Sequence, residues 1–146
     1  MTNTKRFMNW TTVTFTPSGG SLFTYTGVKS VKIDDGGSLL KFAGDGDRFN
    51  TLVINDFNEP TAEVSLADLA TLNTNRVGTI GVFAATHNDA VNKAVSGSYA
   101  ITYSLANAVI ANQDRGGEHR QIGMGTVKFE HQSTDGSTWP ITFTVL

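Results

Sequence analysis

The side chains best suited to binding a metal or moving a proton are three histidines, His87, His119 and His131. Histidines that ligate one metal from a single element usually stand about three to five residues apart, and no two of these do. The sequence contains no cysteine, which excludes a disulfide framework, a thiol nucleophile and a zinc site built on cysteine. We therefore predict no metal and no cofactor. His131 falls within a strand pattern, so we expect it to be a hydrogen-bonded sheet residue.

Two glycine-rich motifs are the next candidates for chemistry. Gly44-Asp45-Gly46-Asp47 resembles the start of a calcium loop, but it lacks the central glycine and the closing glutamate of the EF-hand pattern. A turn rich in Asp and Gly explains it more simply. Gly123-Met124-Gly125 is followed by neither a third glycine nor a helix, as dinucleotide binding requires. No nucleophile elbow or phosphate-binding loop is present, and nothing marks a carboxylate pair for glycoside hydrolysis. We predict that the protein is not an enzyme.

Length and composition indicate one globular domain with a polar but weakly charged surface. The 146 residues fit one domain, and we predict a flexible N-terminal arm over residues 1–10 and a single domain over residues 11–146. Charged residues make up only 16%, so Thr, Ser, Asn and Gly must supply most of the polar surface, as in strands with one wet face. The net charge of −2 makes the chain a poor electrostatic ligand for nucleic acid. We expect no membrane span and no signal peptide.

Apolar residues recur mostly with period two, which is the signal of strands. Val13 and Phe15 alternate with threonines, and the same alternation runs through Tyr99–Leu105 and Val127–His131. Thr79–Thr86 is apolar on both faces, which predicts a central strand covered on both sides. About eight such strands, separated by turns, predict a mainly β fold, either an antiparallel β-sandwich or a barrel.

One short helix and one hairpin are also predicted. Ser65 stands where it would cap an apolar stripe at helical spacing, which predicts a short α-helix over residues 66–72 packed against the sheet. The extended segments Leu22–Ile33 and Leu39–Ala43 flank the turn-forming Asp34-Asp35-Gly36-Gly37, so we expect them to pair with each other.

Loops and isolated aromatic residues are the candidate contacts with other molecules. Gly44–Asn50 and His87–Ser98 read as long surface loops, and Asp114–Arg120 mixes both signs of charge, as a solvated loop or a docking loop would. Three aromatic residues flank turns or termini and are either core residues or interface anchors, with the core interpretation favoured. They are Trp10, Phe49 and Trp139.

Several segments together resemble the tail tube (major tail) protein family of long-tailed bacteriophages, and they cover nearly the whole chain. The segments are Gly27–Ile33, Gly44–Phe49, Leu52–Ile54, the helix at Leu66–Leu72, Val77–Phe83, Tyr99–Val109, Gly117–Gly123 and Val127–Phe143. The resemblance lies in their order and character, because proteins of this family have no catalytic signature.

This resemblance implies a structural virion protein with a sandwich or barrel-like protomer and one flanking helix. Six protomers would close into a ring, and rings would stack into a hollow tube that passes the genome as non-specific double-stranded DNA cargo. The tape measure, terminator and tail tip proteins would be partners, and the virion tail, assembled in the host bacterial cytoplasm, would be the location. The candidate contacts between subunits or rings are Phe7, Trp10, Asp45, Asp47, Arg48, Phe49, Arg115, Glu118 and Arg120.

Two other functions are open at this point. A related ring or tube component, such as a tail terminator or a type VI secretion needle-like protein, would have the same sequence character. A carbohydrate-binding β-sandwich would need a platform of aromatic rings, and Tyr99, Tyr103 and Trp139 are the candidates. The alternation around Ile101 favours a core-facing position for the two tyrosines, which argues against the platform.

Overall fold

The computed structural model describes residues 8–89 and 100–145. The chain is mainly β, its sheets are antiparallel and they do not close into a barrel, so the predicted sandwich-like fold class is confirmed. The strands of the described ranges are β1 (Met8–Pro17), β2 (Phe23–Tyr25), β3 (Val28–Asp34), β4 (Gly37–Phe42), β5 (Leu52–Asn58), β6 (Thr61–Leu66), β7 (Ile80–Asp89), β8 (Ile101–Gly116), β9 (Met124–His131) and β10 (Ile141–Val145). No helix within these ranges is long and apolar enough to cross a membrane.

Eight strands form one sheet in the order β2-β1-β7-β8-β9-β6-β3, with β10 attached to β8. Strand β8 is 16 residues long and changes partner along one edge, pairing with β10 at Leu105 and with β9 from Ala108 onward. Asn107 lies at the change with φ +49°, a left-handed conformation that Asn tolerates better than most residues. The long strand therefore belongs to both halves of the sheet and lets it bend over itself.

The core lies between the two halves of the bent sheet. Phe129 on β9 contacts Phe15 on β1 and Phe83 on β7, with ring centroids 5.2 and 4.8 Å apart, and all three side chains are fully buried. The buried residues follow the predicted period of two along these strands. The prediction that β7 is covered on both faces is wrong, because Val82, on the face opposite Phe83, is 45% exposed.

The predicted helix is present in a different form. It is a 3-10 helix over Leu69–Asn73 rather than an α-helix over residues 66–72. Ser65 and Leu66 are the last residues of β6, paired with β9, so neither is available to begin a helix. The helix is therefore confined to the five residues Leu69–Asn73 that follow the end of β6, and a 3-10 helix is the common form for so short a segment. Its Leu69 and Leu72 lie over Gly123 and Gly125, where a side chain would collide with them, so packing explains these glycines.

The predicted hairpin between Leu22–Ile33 and Leu39–Ala43 is wrong. Gly27, at φ +67°, divides the first segment into β2 and β3. Strand β3 pairs with β6, and β4 pairs with β5 in a separate two-stranded sheet. The turn at residues 35–36 therefore passes the chain from the main sheet into a second ribbon instead of reversing it.

Parts of two other predicted segments are strand. Met8 to Trp10, assigned to the N-terminal arm, lie in β1, and His87 to Asp89, assigned to a loop, end β7. Phe7 and Tyr99 lie outside the described residues, as does the rest of both segments. His131 is confirmed as a hydrogen-bonded sheet residue, since its Nδ1 lies 2.6 Å from the carbonyl oxygen of Ala106.

Candidate interaction surface

The most distinctive surface is the hairpin formed by β4 and β5. In its ladder Leu40 pairs with Ile54 and Phe42 pairs with Leu52. Alternate residues of a strand point to opposite faces, so these four side chains share one face, here called the apolar hairpin face. They are 46–60% exposed. The opposite face carries Leu39, Lys41, Val53 and Asn55 and is mixed in polarity.

The hairpin does not pack on the main sheet. Neither β4 nor β5 pairs with any other strand of the described residues, and Phe57 at the end of β5 is also 53% exposed. A two-stranded hairpin alone in water is marginally stable at best. Scattered apolar residues are normal on a surface, whereas a contiguous apolar patch commonly marks an interaction site. The apolar hairpin face is thus the strongest candidate for a contact with another chain.

Four of the predicted contact residues lie together at the hairpin tip. The loop contains Asp45, Asp47, Arg48 and Phe49, all exposed, and Phe49 is 78% exposed, so its favoured core assignment is wrong. An Oδ2 atom of Asp47 accepts a hydrogen bond of 2.9 Å from the Gly44 N–H, and the Asp47 N–H donates to the Gly44 carbonyl at 3.0 Å. The Asp-Gly motif is therefore a turn organised by its own carboxylate, as the simpler interpretation predicted.

The hairpin is a continuation of the ribbon formed by β3 and β6. The last residue pair of that ladder is Asp34 with Thr61, and the hairpin ladder begins at Gly37 with Asn58. Between them the Glu59 N–H donates to the Gly36 carbonyl at 2.9 Å. Gly36 has φ +63°, and a Cβ atom there would overlap the Glu59 carbonyl oxygen, so only glycine fits this junction.

The other predicted charged contacts lie at the opposite end of the sheet. Strand β6 runs from Thr61, beside the hairpin, to Leu66, whose partner on β9 is Gly125. Gly125 pairs in turn with Arg115, near the end of β8, and the loop that follows carries Glu118 and Arg120. The structure therefore places four of the candidate contacts at the hairpin tip and three, Arg115, Glu118 and Arg120, in a charged region at the other end of the sheet.

A cavity of about 270 Å³ lies at this second end. It is lined by Leu72, Asn75, Arg76, Val77, Gln113 and Arg115. Sequence reasoning missed Arg76, because nothing in the sequence indicates that the turn after the 3-10 helix lies against the end of β8. The Gln113 amide donates to the Asn75 carbonyl at 2.7 Å, and the Thr79 hydroxyl donates to the Arg76 carbonyl at 2.7 Å, so the turn is fixed in place.

Trp10 occupies a third site, within the sandwich. Its ring contacts His87 edge to face at a centroid distance of 5.1 Å, and His87 stacks on Tyr103 at 5.8 Å. Trp10 and Tyr103 line a cleft with Val31, Lys32 and Ile33 on β3. Trp10 is half-buried against the core, unlike the predicted contacts at the tip.

The three residues considered for a sugar-binding platform are Tyr99, Tyr103 and Trp139. Tyr103 lies in the cleft beside Trp10, and Trp139 is 47% exposed. Tyr99 lies outside the described residues.

Two ionisable groups have displaced pKa values, each with a clear cause. Burial raises the pKa of the Tyr25 hydroxyl well above its usual range. At the turn before β10, the Thr138 hydroxyl and the Thr138 and Ser137 backbone N–H groups donate to Asp135 and lower the pKa of its carboxyl. Across residues 8–89 and 100–145 no three His, Asp or Glu side chains are grouped to hold a metal ion.

Comparison with solved structures shows where this fold recurs. No protein-family model matches the chain, and no curated protein matches it in sequence. A chain in the 6-fold symmetrised cryo-electron microscopy structure of the anti-feeding prophage (AFP) baseplate has a similar fold, with a TM-score of 0.60 and 10% sequence identity. The similarity covers 99% of this chain and 97% of that chain. The protein thus has the fold of a component of a prophage-derived baseplate over nearly its whole length.

Proposed function

We propose that the protein is a structural subunit of a phage-tail-like particle. Six copies close into a ring, rings stack into a hollow tube, and double-stranded DNA passes through the lumen as non-specific cargo. The role is mechanical and needs no catalytic residue. The weakly charged surface suits a conduit, because clustered Lys and Arg would retain the phosphate backbone.

The observation that carries this proposal is the hairpin of β4 and β5. It leaves one end of the sheet and holds four apolar side chains, each about half exposed, on one face. A contact between one end of a copy and the other end of the next is heterologous, and repeated heterologous contacts build stacks and filaments. A projecting apolar ribbon that the described chain does not bury is suited to such a contact.

Open sheet edges support closure of the ring. In the described chain β3 pairs only with β6, and β10 pairs only with β8, so each presents one unpaired edge. Unpaired edges expose backbone N–H and C=O groups that readily pair with another chain. We infer that the edge of β3 in one copy meets the edge of β10 in the next, which satisfies both.

The fold comparison supports the same assignment. The similar chain is part of a 6-fold symmetrised prophage baseplate, and the fold extends over nearly all of both chains. The proposed ring number is taken from that symmetry. A second candidate follows from the same observation: this chain forms a ring in the baseplate or at the end of a tube, where one face of the ring meets a different protein.

The purified full chain tests the proposal. Light scattering after size exclusion and negative-stain micrographs should show six-membered rings, and tubes as the protein concentration rises. Rings that never stack would favour the second candidate. Monomers only, over a wide range of protein and salt concentrations, would contradict both.

A further inference from the structure

Three aspartates of the chain are followed directly by glycine, and the structure places these dipeptides in different surroundings. They are Asp35-Gly36, Asp45-Gly46 and Asp135-Gly136. At such a dipeptide the backbone nitrogen of the glycine can attack the side-chain carboxyl carbon of the aspartate, because glycine has no Cβ to block the approach. The reaction needs a nitrogen that is not held in a hydrogen bond, a carboxyl group that can rotate toward it, and room for both to move.

Asp45-Gly46, at the hairpin tip, meets these three requirements. The two residues are the central pair of a turn that is closed by hydrogen bonds between Gly44 and Asp47. Among the described residues, neither the Gly46 N–H nor the Asp45 carboxylate takes part in a hydrogen bond. Asp45 is exposed, and a Cβ atom placed on Gly46 would meet no other atom within 4 Å. Both reacting groups are therefore free to move.

Asp35-Gly36, at the hairpin base, is held in place. The Gly36 N–H donates to Oδ1 of Asp34 at 2.8 Å, and the Gly36 carbonyl accepts from the Glu59 N–H at 2.9 Å. A Cβ atom on Gly36 would overlap the Glu59 carbonyl oxygen, so the backbone has little room to rotate. This dipeptide has neither a free nitrogen nor open space.

Asp135-Gly136, in the turn before β10, is held at both reacting groups. The Gly136 N–H donates to the Ser133 hydroxyl at 2.7 Å. The Asp135 carboxylate accepts from the Ser137 and Thr138 N–H groups, each at 2.9 Å. The Thr138 hydroxyl and these N–H groups lower the pKa of the Asp135 carboxyl, so it stays ionised. An ionised carboxylate is a poorer target for a nucleophile than a protonated carboxyl group.

We propose that Asp45-Gly46 is a modification site, at which Asp45 of the folded chain is converted to isoaspartate. The Gly46 nitrogen forms a bond to the Asp45 carboxyl carbon, and the carboxyl hydroxyl leaves with the amide proton as one water molecule. The product is a five-membered succinimide ring. Water then opens the ring: attack at the side-chain carbonyl restores aspartate, and attack at the main-chain carbonyl leaves isoaspartate. Water is the only co-reactant, and the mass of the chain is unchanged.

The modification changes the backbone of the tip. The main chain then passes through the former Asp45 side chain and is one atom longer, and the former main-chain carbonyl carbon becomes a free carboxylate. The hydrogen bonds between Gly44 and Asp47 span this segment, so the turn cannot keep its present form. The inference goes beyond the proposed function and does not depend on it, because the reaction needs only the folded chain.

Peptide mapping of the full chain tests the proposal. Trypsin separates the three dipeptides into residues 33–41, 42–48 and 129–146. After prolonged incubation at neutral pH, residues 42–48 should give a second chromatographic peak of unchanged mass, which protein isoaspartate methyltransferase methylates. The other two peptides should contain several-fold less of such a product. In guanidinium chloride, where the fold is lost, all three should react.

Two results of this mapping would overturn the proposal. One is isoaspartate in residues 42–48 of the denatured chain but not of the folded chain, since the turn would then protect the site. The other is equal or faster formation in residues 33–41 or 129–146 of the folded chain.

Two matched variants identify the reacting residue. Glutamate keeps the charge of aspartate but must close a six-membered ring, which forms far more slowly. Asp45→Glu should abolish the second peak from residues 42–48, and Asp35→Glu should leave that peak unchanged. A second peak that persists in Asp45→Glu would place the modification at another residue and overturn the assignment.

Discussion

Leu40 lies directly opposite Ile54 in the hairpin ladder, and the two side chains are 51% and 46% exposed. In the main sheet the equivalent cross-strand pair of Val64 with Val127 is fully buried. The same chain thus contains one ribbon whose apolar face is covered and one whose apolar face is not. A two-stranded ribbon contributes little stability by itself, so we expect a second copy of the chain to cover this apolar face.

Removing the apolar pair at the centre of the hairpin should weaken assembly. The double variant Leu40→Ser with Ile54→Ser takes away apolar area worth about 2 kcal/mol at the contact, roughly a thirtyfold weakening. Size exclusion with light scattering should show a shift from rings and tubes toward smaller species. Lys41→Gln, on the opposite face of the same ribbon, should assemble as the parent does. An unchanged assembly profile for the Leu40/Ile54 variant would show that this face is not the contact.

The junction between the main sheet and the hairpin should depend on Gly36. Gly36→Ala adds a Cβ that overlaps the Glu59 carbonyl oxygen, and the residue must still adopt a positive φ. Gly46→Ala at the tip also has a positive φ but has open space, so it carries only the conformational cost of about 1 kcal/mol. Hydrogen exchange should show faster exchange of the β4 and β5 amides in the Gly36 variant and little change in the Gly46 variant. Equal exchange in both would mean that the junction yields without strain.

High pH should destabilise the fold through Tyr25. Its pKa is raised by burial, so the folded state keeps the proton at a pH where the unfolded chain loses it, and the free energy of unfolding must fall as pH rises above about 10. Tyr25→Phe removes this dependence while keeping the ring. Chemical denaturation between pH 8 and pH 11 should therefore show a smaller fall in the free energy of unfolding for Tyr25→Phe than for the parent. An equal fall in the two proteins would show that Tyr25 is not the source of the pH dependence.

The strands were predictable because their signal is local. Alternation places Val13 and Phe15, or Val127 and Phe129, on one face whatever the partners are, and these residues are in the core. Pairing was not predictable from the same signal. The turn at Asp34–Gly37 has the residues of a hairpin, yet β3 pairs with β6, about 30 residues away in sequence, because that pairing buries Val64.

The candidate site was predictable in part. Asp45, Asp47, Arg48 and Phe49 could be found because a Gly-Asp turn between two apolar segments indicates an exposed loop. The predicted helix over residues 66–72 begins too early, because the spacing of Leu66 and Leu69 is also compatible with a strand end followed by a single helical turn. Arg76 joins Arg115 only through tertiary packing, so no sequence pattern marks their cavity.

The contact of Phe129 with Phe83 and Phe15 should set the stability of the fold, because it joins the two halves of the bent sheet. Phe129→Ala leaves a cavity in a fully buried position and should lower the free energy of unfolding by about 3–5 kcal/mol. Phe143→Ala removes the same ring from a site that is 68% exposed, and a change near zero is expected there. Urea denaturation followed by circular dichroism measures both under non-assembling conditions. If Phe129→Ala lowers the free energy of unfolding no more than Phe143→Ala does, contacts other than this aromatic cluster hold the two halves of the sheet together.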